Sequence, residues 1–355
     1  MSKQRFTLWK DFFLEPVKGV VAALIFTLFA CNDSYGQRIS DSPTAQLAVL
    51  RAFLDLPESQ IDLAKIKVTV DKMIDPNTDE AATLKRLDDI ALRVRAMVPA
   101  TASSRQKFEA LRSFLYEPGP WNQYEIYKYD LEGDPLGKTI RGKLIANYLA
   151  TRKGNCVSMP ILFVIIGQKL GLDVTLSSAP EHLFVRYRDE TGKYSSAEAT
   201  HDAGPKADAS YIRDLEITPL SIKNGLYLQP LTQRENAAQI IGTLTEYYSQ
   251  ARNFEKLQST VDLLIRYDPR RPQFVTHKGR AYYLEAKARF IDKYPDISTL
   301  SEAQKKEYDR LTLANRSWFE KAEALGWREP SKKWLASQEA YARGAALDQK
   351  AKGTR

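Results

Sequence analysis

The stretch "VSMPILFVIIGQKLG", Val157 to Gly171, is apolar on nearly every side. A helix at a protein surface keeps one polar face, so a helix of this composition has to be buried all round. Burial of one Leu, Ile or Phe side chain stabilises a fold by about 1.5–3 kcal/mol, and the run from Ile161 to Ile166 is unbroken by any polar residue. The segment therefore reads as a central core helix. Pro160 falls within its first turn, where a missing N–H is tolerated, and Gly171 is placed as its C-cap.

A cysteine stands at the mouth of this helix. In "RKGNC" Gly154 and Asn155 form a turn, and the helix is expected to start at Cys156. Cysteine acts as a thiolate, which a helix N-terminus and a neighbouring imidazolium both favour. The chain has three histidines, His182, His201 and His277. His182 opens "HLFVRYR", which follows the short strand "LDVTLSS" and is joined through "DETG" to "KYSSAEAT"; these three strands are the only convincing β-structure. With the hairpin turn centred near Glu190, His182 falls opposite Glu198 within about one residue. Paired residues on neighbouring strands share a face at about 5 Å. A thiol, an imidazole and a carboxylate oriented in that order form a nucleophile, its base and an orienting group. His201 is the rival base. A metal site built from Cys156, His182 and His201 has no usual ligand spacing, and no cofactor or metal is expected.

The rest of the chain is mostly helical. "AQLAVLRAFLDL", "TLKRLDDIALRVRAMV" and "SSRQKFEALRSFLY" repeat apolar residues at three and four. The stretch 117–138, "EPGPWNQYEIYKYDLEGDPLGK", is a long structured loop rich in Pro, Gly and aromatics, a type of segment that often carries function. From Thr232 onward "IIGTLTEYYSQARNFEKLQSTVDLLIRYDPRRP" looks like a tetratricopeptide unit. "HKGRAYYLEAKARF" and "RSWFEKAEALGWREP" resemble the two helices of a second unit, separated by a charged insertion at about 292–309.

The first thirty-six residues read as a targeting segment, with Lys3, Arg5, Lys10 and Lys18 ahead of the apolar run Gly19–Ala30. "LFAC", ending at Cys31, resembles a bacterial lipobox. Ordinary cleavage before Gln37 and an uncleaved anchor are the alternatives. Once Cys31 is lipidated or removed, Cys156 is the only free thiol left, because the chain has two cysteines. The net charge of +8 is dispersed. That suits an anionic membrane or wall surface, and without a nucleic-acid-binding motif nucleic acid is not an expected partner.

"GNC", then an apolar helix ending "LGLDV", then "HLFVRY", a hairpin and "EAT" resembles the transglutaminase-like superfamily, whose core is papain-like. The resemblance implies catalytic roles for Cys156, His182 and Glu198, with Thr200 two residues after the acid, where the wider family more often has aspartate as that acid. It also implies a mostly α, α+β fold: a transglutaminase-like core at 117–231 with a small antiparallel sheet, a helical region at 37–116 before it and a tetratricopeptide-like arm at 232–355 after it, a layout similar to a bacterial subgroup of the superfamily. The implied chemistry is acyl transfer or hydrolysis at a peptide or carboxamide bond, with the Cys156 backbone N–H as an oxyanion donor. The implied partners are a peptide or protein substrate, a protein on the helical arm, and a membrane through lipidated Cys31. The alternative is a non-catalytic envelope protein that binds peptides or proteins in its helical groove.

Overall fold

Capping signals set the first helices. In the computed structural model, which describes residues 43–353, α1 (Pro43–Leu54), α2 (Leu63–Ile74), α3 (Glu80–Arg95) and α4 (Ser104–Tyr116) follow one another. Asp62, Asp79 and Ser103 cap α2, α3 and α4, the last through a reciprocal capping box with Gln106. The leader, Cys31 and the polar linker lie outside the described residues. No described helix is long and apolar enough to cross a membrane.

The loop after α4 holds the two-residue strand β1 (Lys128–Tyr129). It leads through α5 (Ile140–Lys143) and α6 (Ile145–Thr151) to β2 (Lys153–Gly154), which pairs with β1 in parallel. The central helix α7 runs from Ser158 to Lys169, so it starts two residues later than Cys156. Every residue from Ser158 to Gly167 is buried. Helices α3, α4 and α6 and strands β3 (Val174–Ala179) and β4 (His182–Arg188) all pack on it. Phe163 meets Phe108 with ring centroids 5.2 Å apart and stacks on Tyr116. Gly171, at φ +75°, ends the helix as expected.

The sheet has four strands, in the order β3-β4-β5-β6, all antiparallel, with β5 at Tyr194–Glu198 and β6 at Gly204–Pro205. Three of these strands are the expected ones. The others (β1, β2 and β6) are two-residue pairings, too short to show any alternation. The free edge of β3 is covered. Leu228 and Leu231 donate to the carbonyls of Ser178 and Leu176, and Asn236 Oδ1 accepts from Leu176 N at 3.0 Å. Asn236 belongs to α10 (Gln233–Gln250), which follows the short helices α8 (Asp208–Asp214) and α9 (Pro219–Lys223). The hairpin tip is held too. Glu190 Oε1 accepts from the backbone N–H of Arg105, in the first turn of α4, at 3.1 Å.

Helix α10 forms a hairpin with α11 (Phe254–Tyr267), and α12 (Pro272–Ala286) packs on α11 and on α13 (Glu302–Ala324). Asp268 ends α11, and Pro269 follows. The charged insertion is shorter than the sequence suggests. Residues 302–309 are already helical, because Ser301 and Gln304 build a capping box that starts α13 there. Helix α14 (Lys332–Gly353) closes the described chain.

One buried ion pair joins the first helices to the segment that leads to the cysteine. Lys67 and Asp71, one turn apart on α2, have fully buried side chains and bond at 2.5 Å. Asp71 Oδ2 also accepts from the N–H groups of Ile145 and Ala146, capping α6 from a different helix. Removing one partner of such a pair strands a buried charge. Asp71→Ala is therefore expected to lower the free energy of unfolding by about 3–5 kcal/mol in urea denaturation.

Candidate active site

Three separate segments converge on the N-terminus of α7. The first carries Cys156, which is partly exposed. Asn155 sets its position. Asn155 Oδ1 accepts from the N–H groups of Val157 (3.0 Å) and Ser158 (3.3 Å), and its carbonyl accepts from Met159. Asn155 thus caps the helix, and the thiol sits in the cap rather than in the helix. The Cys156 backbone N–H has no acceptor among the described residues, as is usual for the first amides of a helix.

The second segment is the loop before α5, which β1 stitches to the strand leading into Cys156. Asp134, buried in this loop, accepts from Lys138 N (2.7 Å), Thr139 N (3.1 Å), Thr139 Oγ1 (2.8 Å) and Asn155 Nδ2 (3.1 Å). The same carboxylate therefore folds the loop and holds the capping asparagine. Gly137 then lies against the thiol. A Cβ there would stand 3.3 Å from Cys156 Sγ and 3.1 Å from Tyr129 Oη, and the φ of +65° is itself one that L side chains rarely adopt.

The third segment is the β4–β5 hairpin. His182 Nε2 lies 2.7 Å from Glu198 Oε2, and the Cys156 thiol is near enough to His182 to favour its charged form. With Nε2 on the carboxylate, Nδ1 is the nitrogen left for sulfur. The register differs from the expected one. Val185 pairs with Ala197, so residue numbers across the ladder sum to 382 and the turn centres on 191, not 190. Gly192, at φ +83°, and the Gly192 N to Asp189 O bond make this a three-residue loop with a bulge. By that register Glu198 pairs with the position of Phe184 and lies diagonal to His182 on the same face. The extra methylene of a glutamate, compared with an aspartate, spans this offset.

Glu198 is buried and accepts three further hydrogen bonds, from Thr200 N (3.2 Å), Thr200 Oγ1 (2.7 Å) and the Tyr211 hydroxyl (2.8 Å). Burial alone would raise its carboxyl. The His182 charge and the bonds from His182, Thr200 and Tyr211 outweigh burial and hold it down at about 2. Burial likewise disfavours a charged His182, but Glu198 and Cys156 overcome this and push it up to about 10. Tyr211 stacks on Phe184 with ring centroids 4.3 Å apart. Burial and the Glu198 charge raise its phenol, so it stays a donor.

The structure thus brings Cys156, His182, Glu198 and Thr200 together and leaves the rival base out. His201 is exposed at the end of the 3-10 turn Ala199–His201. His277, on α12, bonds Thr245 Oγ1 at 2.7 Å. Among the described residues no His, Cys, Asp and Glu side chains form a group that could hold a metal ion. Tyr211, Asp134 and Gly137 are additions that sequence reasoning did not single out. Each is one of many residues of its type in loops or short helices, and Asp134 and Gly137 lay in the stretch already marked as a functional loop.

Residues 81–242 match the family model described as "Transglutaminase-like superfamily". The match begins in α3 and ends in α10 and supports a transglutaminase-like domain over those residues. No curated protein matches the chain. Among solved structures it is similar to one of menin, described as revealing the binding site for Mixed Lineage Leukemia (MLL) protein, at 12% identity and a TM-score of 0.35, covering 86% of this chain and 88% of that one. That likeness carries no argument here.

The pair has a pH signature. Glu198 is held below its ordinary 4.5, so its contribution to stability is present above that pH and is lost as pH falls towards about 2. His182 is held above its ordinary 6.5, so its contribution is present below that pH and is lost as pH rises through about 10. One interaction produces both shifts and is counted once. Glu198→Gln is expected to cost about 2–4 kcal/mol in urea denaturation, with the difference from wild type greatest between pH 4.5 and 6.5 and shrinking on either side.

Proposed function

We propose that this protein is a cysteine-dependent acyl-transfer enzyme acting on a peptide or carboxamide bond, with Cys156 as nucleophile, His182 as base and Glu198 as the group that orients and charges the imidazole. One observation carries the reading: His182, 2.7 Å from a buried carboxylate that three further donors satisfy, stands near enough to the Cys156 thiol for the two to interact electrostatically. His182 keeps its proton at neutral pH, so Cys156 faces a cation.

The thiolate sulfur attacks the carbonyl carbon, and the oxyanion faces the Cys156 N–H. The C–N bond then breaks, and the leaving amine takes the proton from His182. The thioester is resolved by water, which gives up a proton to His182; the C–S bond breaks, the acid is released and the thiolate is restored beside a protonated His182. An amine in place of water gives a new amide. Water needs no dedicated subsite, and hydrolysis is the favoured outcome. Thr200 and Tyr211 hydrogen-bond Glu198 and act on the site through it, as positioning residues.

The division of the chain into regions 37–116, 117–231 and 232–355 belongs to the same proposal, with the last a tetratricopeptide-like arm. So does export to the envelope of a bacterium, with residues 1–36 as leader and Cys31 as a lipid anchor. The basic lead, the twelve-residue apolar run and "LFAC" support it. On this reading Cys31→Ser moves the protein from the membrane to the soluble fraction.

The enzymatic reading predicts fast, selective alkylation of Cys156 by iodoacetamide well below pH 8.5, about where a free thiol ionises. His182→Ala is expected to cut the rate at pH 6 by about tenfold or more, since each 1.4 kcal/mol of lost thiolate stabilisation is a factor of ten. A thiol that is inert until the protein unfolds would falsify the assignment.

A further inference from the structure

Acyl transfer builds negative charge on the carbonyl oxygen, and preorganised donors aimed at that oxygen stabilise it. The Cys156 N–H, which has no acceptor among the described residues, is one such donor. Other polar hydrogens around the cap of α7 are committed. Asn155 Nδ2 donates to Asp134 Oδ2 at 3.1 Å, Asn155 N to Ser158 Oγ at 3.1 Å, and the N–H groups of Val157 and Ser158 to Asn155 Oδ1. Ser158 Oγ itself donates to the Gly142 carbonyl at 2.8 Å, and the Tyr211 hydroxyl donates to Glu198.

Tyr129 brings a hydroxyl to the same place. A Cβ built on Gly137 stands 3.1 Å from Tyr129 Oη and 3.3 Å from Cys156 Sγ, so phenol oxygen and sulfur are no farther apart than those two distances laid end to end. Because residue 137 is glycine, it puts no side chain into the space between them. A carbonyl carbon poised for attack stands about 3–3.5 Å from its nucleophile, and an oxyanion takes its donors at about 2.7–3.1 Å. One carbonyl group bridges a gap of that size.

The phenol is held at both ends. Its backbone lies in β1, where Tyr129 pairs with Gly154, two residues before the thiol. Lys128 N and Asp130 N donate to the carbonyls of Arg152 and Gly154, both at 2.8 Å, and so bracket it. Its ring is partly buried against the main core. The turn that follows closes through the Asp134 N to Asp130 O bond at 2.9 Å, and the chain then returns to place Gly137 against the Tyr129 hydroxyl. A donor held this way needs no rearrangement at the moment of reaction. A hydroxyl also turns about its C–O bond and is donor and acceptor at once, so its bonding in the resting site does not fix where its hydrogen points when charge develops.

We infer that Tyr129 is a catalytic residue whose hydroxyl is the second oxyanion donor beside the Cys156 N–H, with Gly137 keeping the space between phenol and sulfur open for the scissile carbonyl. The inference rests on Cys156 being the nucleophile. As the C–S bond forms, the carbonyl π pair moves to oxygen, and Tyr129 and the Cys156 N–H bond that oxygen without giving up their hydrogens. The pair returns to the C–O bond as the leaving group departs.

Acylation and alkylation of the same thiol separate this role from a structural one. p-Nitrophenyl acetate acylates a thiolate through an oxyanion and releases p-nitrophenolate. Iodoacetamide alkylates it at a saturated carbon and releases iodide, and no oxyanion forms. Both reagents need the thiolate, so losses of thiolate or of folded protein cancel in the ratio of the two rates at Cys156 of the full chain, with Cys156→Ala as the blank. Tyr129→Phe removes the hydroxyl and keeps the ring. It is expected to lower the acylation rate by at least about tenfold, towards the roughly hundredfold that loss of one oxyanion donor costs, and to leave the alkylation rate within about twofold of wild type. Tyr124→Phe, which alters an exposed phenol in the same loop, is expected to change neither rate. Unchanged acylation in Tyr129→Phe overturns the inference and leaves the nucleophile standing. Equal falls in both rates also overturn it, because they make Tyr129 a support for the thiol itself. Wild-type protein that reacts slowly with both reagents overturns the nucleophile and the inference together.

Discussion

Helix α7 has no face that water can touch, and most of the described chain follows from keeping it dry. Three helices and two strands are needed to cover it, and they come from both sides of it in sequence. The cover opens only at the two ends, at Cys156 and Val157 before the helix and at Gln168 and Lys169 in its last turn. At the first of these ends Asn155 takes up the first amides of the helix, and the Cys156 N–H is left without an acceptor among the described residues. A site at this end inherits the rigidity of a helix packed on all sides, which a nucleophile needs more than any particular neighbour.

Rigidity is passed on through polar groups that are each used more than once. Asp134 folds its loop and holds the asparagine that caps α7. Asp71 neutralises a buried lysine and caps the helix that leads to β2. Glu198 orients the imidazole and ends the strand that carries it. Groups shared in this way are over-determined: the loss of any one partner disturbs two pieces of structure. The β1–β2 pairing adds only a few backbone bonds, yet it fixes which part of the loop reaches the sulfur.

Much of this was legible in the sequence. The central helix, its glycine stop, the three longer strands and the residues Cys156, His182 and Glu198 all follow from apolar periodicity, turn residues and a family pattern. What escaped was local geometry. A bulged turn moved the hairpin centre by one residue and made His182 and Glu198 diagonal neighbours. The asparagine before the cysteine took over the cap and pushed the helix start to Ser158. A capping box at Ser301 turned part of a charged insertion into helix. Tyr211 and Gly137 act through three-dimensional proximity alone, and neither the residue type nor its spacing announces that.

The hairpin that carries both histidine and glutamate is held at its far end as well. Glu190, at the solvent-exposed tip, is fastened to the first turn of α4, a helix that itself packs on α7. The hairpin therefore behaves as a beam supported at both ends rather than as a lever free at one. Twisting it, and so swinging the imidazole off the sulfur, means dragging α4 across the central helix. The separation of base and thiol is thus governed partly from the opposite rim of the molecule, by a surface side chain that never comes near the reaction.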